Sequence, residues 1–207
     1  MFAGHVGAAL IVKRAAPGVG LGKLVAGALL LDSLLGVFVL AGLEQVKIPD
    51  DYPILHYLQF DFPVSHGFLA TVSWALVALA IVQKRYGAEA GNAVGIAVFT
   101  HWPLDAIEHE PELPLVYGQP MIGLSLWRVL PVAILLEAVL VGAGIALYWR
   151  LGRRRRRGVA IAAVVILAMT ATQLFATQPP SIRGEAVTWI LVAPMFGLLF
   201  GWLDQDR

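Results

Sequence analysis

Gly95-Ile-Ala-Val-Phe-Thr-His101-Trp-Pro-Leu-Asp105-Ala-Ile-Glu108-His109 passes without interruption from an apolar run into two histidines, an aspartate and a glutamate. The apolar part has the composition of a bilayer segment, yet ionisable groups sit inside and at the end of it. An aspartate costs about 2.5 to 3.5 kcal/mol at a bilayer centre even on a lenient insertion scale, so a series of ionisable groups needs a compensating partner. The same association recurs at His5, at Asp32 within Ala28-Leu-Leu-Leu-Asp32-Ser-Leu-Leu35, and at Ser65-His66. Metal coordination is one way to compensate all of them together.

Composition agrees with a membrane setting. The 207 residues are 58% hydrophobic and 14% charged, with a mean hydropathy of +0.75, whereas a soluble domain is about a quarter charged. The formal charge of +1 conceals a local excess of cations at Arg153–Arg157. No cysteine is present, which removes disulfides, thiolate ligands and cysteine nucleophiles and leaves nitrogen and oxygen to hold any metal. Lys13 and Arg14 follow the first apolar stretch instead of preceding it, so the N-terminus does not read as a cleavable signal.

A spanning helix takes about 20 mostly apolar residues. Six segments qualify: Leu21–Leu43, Ser65–Gln83, Ala90–Ile107, Leu126–Trp149, Val159–Ala176 and Ala186–Leu203. Ahead of them Phe2–Val12 is too short to cross and reads as a half-inserted helix. The fold expected is an all-α, polytopic membrane helical bundle of six transmembrane helices plus this N-terminal half-helix. Residues 1–207 form one membrane domain; 1–150 carry the candidate site, and 151–207 supply a basic loop and two C-terminal helices.

Alternation of the helices places Lys13, Arg14, Lys23, Lys84, Arg85, Arg150 and Arg153–Arg157 on one side, which the positive-inside rule makes the cytoplasm. The chain is then expected in a prokaryotic cytoplasmic (inner) membrane with its N-terminus outside. His5, His66, His101, Asp105 and His109 all reach the outer leaflet. Asp32 lies about 16 Å below the outer boundary on an ideal helix, so the site is recessed or that helix breaks near Gly36 or Gly42. The arginine run serves topology and anionic headgroups, and no nucleic-acid partner is expected. Gly87, Gly91 and Gly95, four apart, suit close helix packing.

Residues four apart on a helix share a face, so His101, Asp105 and His109 form one stripe that can look at one ion. Imidazole with carboxylate suits a divalent metal, zinc first, with manganese and iron as alternatives. The candidate ligands are His5, Asp32, His66, His101, Asp105 and His109, and Asp61 and Glu108 are candidate proton acceptors. Ser65 reads as a helix cap; a serine hydrolase is disfavoured, because adjacent Ser65 and His66 rarely face each other on a helix and no GxSxG elbow occurs. Glu137, buried in an apolar run and too far along its helix from Arg128, should meet another helix or the polar pocket.

In these residues the chain resembles the YdjM-like family of bacterial inner-membrane, metal-dependent hydrolases. The likeness covers about the first 150 residues: Phe-Ala-Gly-His5, Gly27-Ala-Leu-Leu-Leu-Asp32, Pro63-Val-Ser65-His66-Gly67 and Thr100-His101-Trp-Pro-Leu-Asp105, with the later Gly123-Leu-Ser-Leu-Trp127 typical of one subgroup. It departs from the broader family, which has a Pro-Asp-x-Asp pair where this chain has Leu31-Asp32-Ser33-Leu34, and a histidine-arginine where it has Phe62-Pro63-Val64. The resemblance implies a metal site and a metal-dependent hydrolase; the position of the site at the outer leaflet favours an amphiphilic ester or phosphoester as its substrate, a lipid or lipid-linked phosphate among the membrane lipids. The rivals are a metal-ion or proton transporter, with polar groups reaching both faces, and a non-catalytic protein whose metal only ties helices.

Overall fold

The computed structural model describes residues 2–116, 118–175 and 178–205. In chain order the elements are α1 (Phe2–Ala15), α2 (Leu21–Ala28), α3 (Leu30–Leu40), β1 (Gln45–Lys47), α4 (Tyr52–Leu55), β2 (Gln59–Asp61), α5 (Phe68–Tyr86), α6 (Ala88–Phe99) and α7 (His101–Glu108). There follow β3 (Leu113–Val116), β4 (Gln119–Ile122), α8 (Leu130–Trp149), α9 (Arg156–Ala171) and α10 (Ile182–Leu203). Helices dominate, as expected; β1 pairs antiparallel with β2 and β3 with β4, adding two small hairpins.

The half-helix expected at the N-terminus is the hub. Ala3, Val6, Ala9 and Leu10 of α1 are fully buried, and α1 packs against α2, α6, α8 and α9. Its first-turn amide at Gly4 donates to Glu137 Oε2 of α8 at 2.8 Å, so a carboxylate satisfies a helix N-terminus enclosed within the protein. Glu137 therefore does meet another helix. At the far end of α1 the buried Lys13 ammonium donates to the Pro17 and Val19 carbonyls and to Asp204 Oδ2. Asp204 also accepts from the Leu21 amide and the Tyr148 hydroxyl. This network ties the first loop to α8 and the end of α10.

The expectation of six spans is corrected by the helix breaks. Among the described residues three helical stretches are long and apolar enough to cross a membrane, Phe68–Tyr86, Leu126–Trp149 and Ile182–Leu203; α2 and α3, bent by 45°, make a fourth if they act as one span. The expected Ala90–Ile107 helix divides at Thr100. Pro103 explains the break: it has no N–H for the Phe99 carbonyl, and its ring crowds that carbonyl. The expected Val159–Ala176 helix is the 16-residue α9, about 24 Å long against a hydrocarbon core of about 30 Å; Ala176 lies outside the described residues. The first long helix breaks at Leu29, not at Gly36 or Gly42.

The spans present apolar side chains outward, Leu76 and Ile81 on α5, Leu135 and Val139 on α8, and Leu198 on α10. This is the surface a hydrocarbon solvent requires. Gly91 and Gly95 do mediate the close approach of α6 to α5, against Leu79 and Gln83, while Gly87 serves the turn between them at φ +90°. α10 is locked to α2 through Gly22 and to α3 through Gly36.

A Cβ at Gly22 would stand 2.3 Å from the Gly197 carbonyl oxygen and 2.7 Å from Gly201 Cα. Because both are backbone atoms, Gly22→Val should cost at least about 1–3 kcal/mol, read as a lower thermal midpoint in detergent. Gly142→Ala, where nothing lies within 4 Å, is the control and should not lower it.

Candidate metal centre

The bend at Leu29 and the break at Thr100 meet. Ala28 is the last residue of α2, and its carbonyl oxygen accepts a hydrogen bond from His101 Nδ1 at 2.7 Å. A carbonyl can only accept, so Nδ1 carries the proton and Nε2 presents its lone pair inward. The bend also puts Asp32 in the first turn of α3, beside His101 instead of isolated in an apolar helix.

His66 is fixed in the same way. Glu44 accepts from the amides of Val64 and Ser65 and from the Ser65 hydroxyl at 2.7 Å. With its hydrogen committed to Glu44, Ser65 Oγ accepts from His66 Nδ1, also at 2.7 Å. Ser65 is thus not a helix cap: α5 begins after Gly67 and has no side-chain cap. His109 repeats the pattern. Its Nδ1 lies 3.0 Å from the Tyr57 hydroxyl, which donates to Glu112. Burial lifts the Glu112 carboxyl to about 7 and raises the Tyr57 phenol, which therefore keeps its hydrogen.

Three imidazoles thus turn Nε2 toward one space. His66 Nε2 and His101 Nε2 are 3.1 Å apart. Asp105 Oδ2 lies 3.1 Å from His101 Nε2, 3.6 Å from His66 Nε2 and 3.9 Å from His109 Nε2. Asp32 Oδ1 is 3.8 Å from His66 Nε2 and 3.7 Å from His101 Nε2. Ligands held about 2.1 Å from an ion stand about 3.0 to 3.4 Å apart for octahedral to tetrahedral angles, so the shorter separations match a coordination shell and the longer ones require a small contraction. Lone pairs and carboxylates facing each other in a buried space repel unless a cation lies between them. His/Asp groups of this kind can hold a metal ion, and Asp32-His66-His101 and His5-His101-Asp105 each have donor atoms within 4.8 Å of one another.

His5 has a different position from the other three. Its ring stacks on that of His101 at 3.7 Å, its Nε2 is 3.1 Å from Asp105 Oδ1, and its buried Nδ1 has no hydrogen-bond partner. It meets the opposite oxygen of Asp105 from the one shared by His66, His101 and His109. All six residues expected as ligands are therefore brought together.

The two expected proton acceptors part company. Glu108 is buried and lines a cavity of about 350 Å³ together with Asp32, His66, Asp105 and His109. Asp61 is exposed in β2, paired with Gln45, and does not line that cavity. The cavity wall is largely aromatic, including Tyr57, Phe60, Phe62, Trp127 and Trp189. Sequence reasoning missed Glu44, Tyr57 and Glu112; Glu44 stands 21 residues from Ser65 and Tyr57 stands 52 from His109, so no local spacing reveals them.

The fold and the site together define a helical membrane protein with a buried His/Asp centre. Comparison with protein-family models, with curated proteins and with solved structures gives no match to this chain.

Groups that orient a ligating histidine typically contribute 10- to 100-fold in metal affinity. Ser65→Ala and Tyr57→Phe should each weaken metal binding by about that factor, read by competition with a chelating dye, without abolishing binding. Leu124→Ala, at an exposed position, should leave affinity unchanged.

Proposed function

We propose that this protein is a membrane-embedded, metal-dependent hydrolase of an amphiphilic ester or phosphoester, as its resemblance to the YdjM-like family also suggests. The observation that carries the reading is the outward commitment of Nδ1 in His66, His101 and His109, which aims three Nε2 lone pairs at Asp32 and Asp105 beside a cavity. A purely structural tie between helices has no need of that cavity. When bound, a divalent ion, zinc or alternatively manganese or iron, supplies Lewis-acid polarisation of the substrate oxygen and acidifies water. Asp32, His66, His101, Asp105 and His109 would hold it, with His5 orienting Asp105 or adding a ligand.

The chain's own groups supply the rest. Of the two expected proton acceptors, Glu108 is the one that lines the cavity beside the cluster. The aromatic wall excludes water from the substrate's apolar portion and fixes its approach. The basic joints support a prokaryotic cytoplasmic membrane as its location, with this centre toward the outer leaflet, by the positive-inside rule. Against transport, α1 carries the buried apolar Val6, Ala9 and Leu10 between His5 and the Lys13–Asp204 network, so the two polar regions do not join along the hub.

Purified protein should carry about one or more equivalents of divalent metal per chain by mass spectrometry. His101→Ala and Asp105→Asn, with intact helical circular dichroism, should lose it. The loaded protein should hydrolyse 4-nitrophenyl esters or phosphoesters, and the same variants should lower the rate at least about 100-fold. Metal-free wild type that takes up no zinc, manganese or iron would sink the reading.

A further inference from the structure

We propose that the substrate is an acyl ester of the bilayer with an uncharged head, whose chain enters the site sideways between α9 and α10; this rests on the hydrolase reading for its chemistry but not for its binding. The two helices touch at their basic end. There a Cβ on Gly158 would lie 2.9 Å from Leu203, and Arg155 donates to the Trp202 carbonyl and covers the Trp202 ring. Toward the other end both helices line the cavity, α9 through Thr170 and α10 through Glu185 and Trp189. From Gly158 to Thr170 is about 18 Å of helix, so the pair forms a wedge that widens toward the site.

The two helices have separate supports. α10 is pinned to α3, where Ser33 Oγ donates to the Trp189 carbonyl at 3.0 Å and accepts from the Ala193 amide at 3.2 Å. α9 packs instead on α8 and α1. Each helix therefore has its own support, and their mutual contact lies toward Gly158. Phe2 and Leu35 floor the cavity beside Asp32 and Asp105, giving one continuous passage from apolar walls to the cluster. Such a gradient fits an aliphatic chain with a polar group at its inner end.

Charge selects the head. Asp32, Asp105, Glu108 and Glu185 line the cavity, and among its described lining residues there is no lysine or arginine. A divalent ion offsets the two aspartates and leaves nothing over for a phosphate dianion, which sites for such groups meet with arginine, lysine or helix N-termini. An uncharged carboxylic ester carries no such demand. Its hydrolysis adds water across the acyl C–O bond: the water oxygen joins the acyl carbon, one water proton passes to the departing alkoxide, and the carboxylic acid so formed releases its proton.

The test is photo-crosslinking in nanodiscs with two probes sharing a diazirine-tagged acyl chain, a diacylglycerol and a phosphatidic acid, followed by mass-spectrometric mapping. The diacylglycerol should label Thr170, Trp189 and their neighbours inside the wedge, at least about tenfold more than phosphatidic acid does. Thr170→Phe, which fills the wide end and touches no candidate ligand, should remove that labelling while leaving metal content unchanged. Labelling confined to the outward Ile161, Val165, Met169 and Leu198 would overturn the passage. Preferential labelling by phosphatidic acid would overturn the choice of head. Wedge labelling without turnover of any ester would instead count against the hydrolase reading and leave the binding site standing.

Discussion

In a bilayer every backbone N–H and C=O must find its partner inside the protein, and this fold violates helix continuity at three places close together. α1 starts inside the bundle, α2 ends at Ala28, and α6 ends at Phe99. Side chains from distant parts of the chain answer two of the resulting demands: Glu137 takes the Gly4 amide, and His101 takes the Ala28 carbonyl. The second of these bonds also sets the tautomer of a candidate ligand. The broken helices and the His/Asp cluster are consequently one feature. A continuous α2–α3 helix would absorb the Ala28 carbonyl into its own ladder and leave His101 free to rotate or change tautomer.

Part of this was legible in the residues. The polar set His5, Asp32, His66, His101, Asp105 and His109 reads out of the sequence because ionisable groups stand out against apolar runs, and side chains that costly have to converge. Pro103 signals a distortion at its own position. Its consequence, a break that swings α7 and turns one expected span into two short helices, depends on how α5 and α2 receive the pieces. α9 looks like a span because its apolar run extends past Thr172, but the helix begins within the arginines and ends at Ala171. Hydropathy registers what a segment tolerates, whereas helix length is decided by the residues that cap, break and pack it.

The groups behind the histidines were hidden for a different reason. Glu44 lies in the loop between α3 and β1 and Glu112 between Pro111 and Pro114, where an acid ordinarily faces water. Each instead turns inward and gathers amide and hydroxyl donors, Glu44 from residues 64 and 65 and Glu112 from Tyr57 and Phe60. Asp61, in an equally acidic neighbourhood, stays exposed because β2 pairs it with Gln45 at the edge of a hairpin. Alternation along β2 sends Gln59 and Asp61 out and Phe60 inward, while Phe62, just past the strand, is buried against His66. The choice among these acids is made by tertiary pairing, to which composition and spacing are blind.

Electroneutrality links the centre to what it accepts. Burying a net charge in hydrocarbon is costly, and an ion set is tolerated there when its charges cancel over short distances. Two aspartates with neutral histidines balance a divalent cation and would overbalance a monovalent one. The carboxylates of Glu44 and Glu112 do not disturb this balance, because hydroxyl groups separate them from the imidazoles and amide donors absorb part of their charge. A centre closed in charge beside a largely aromatic cavity wall is suited to ligands that bring oxygen without bringing a dianion. The same physical requirement that lets buried His66, His101 and Asp105 stand together therefore restricts the charge of any group that can join them.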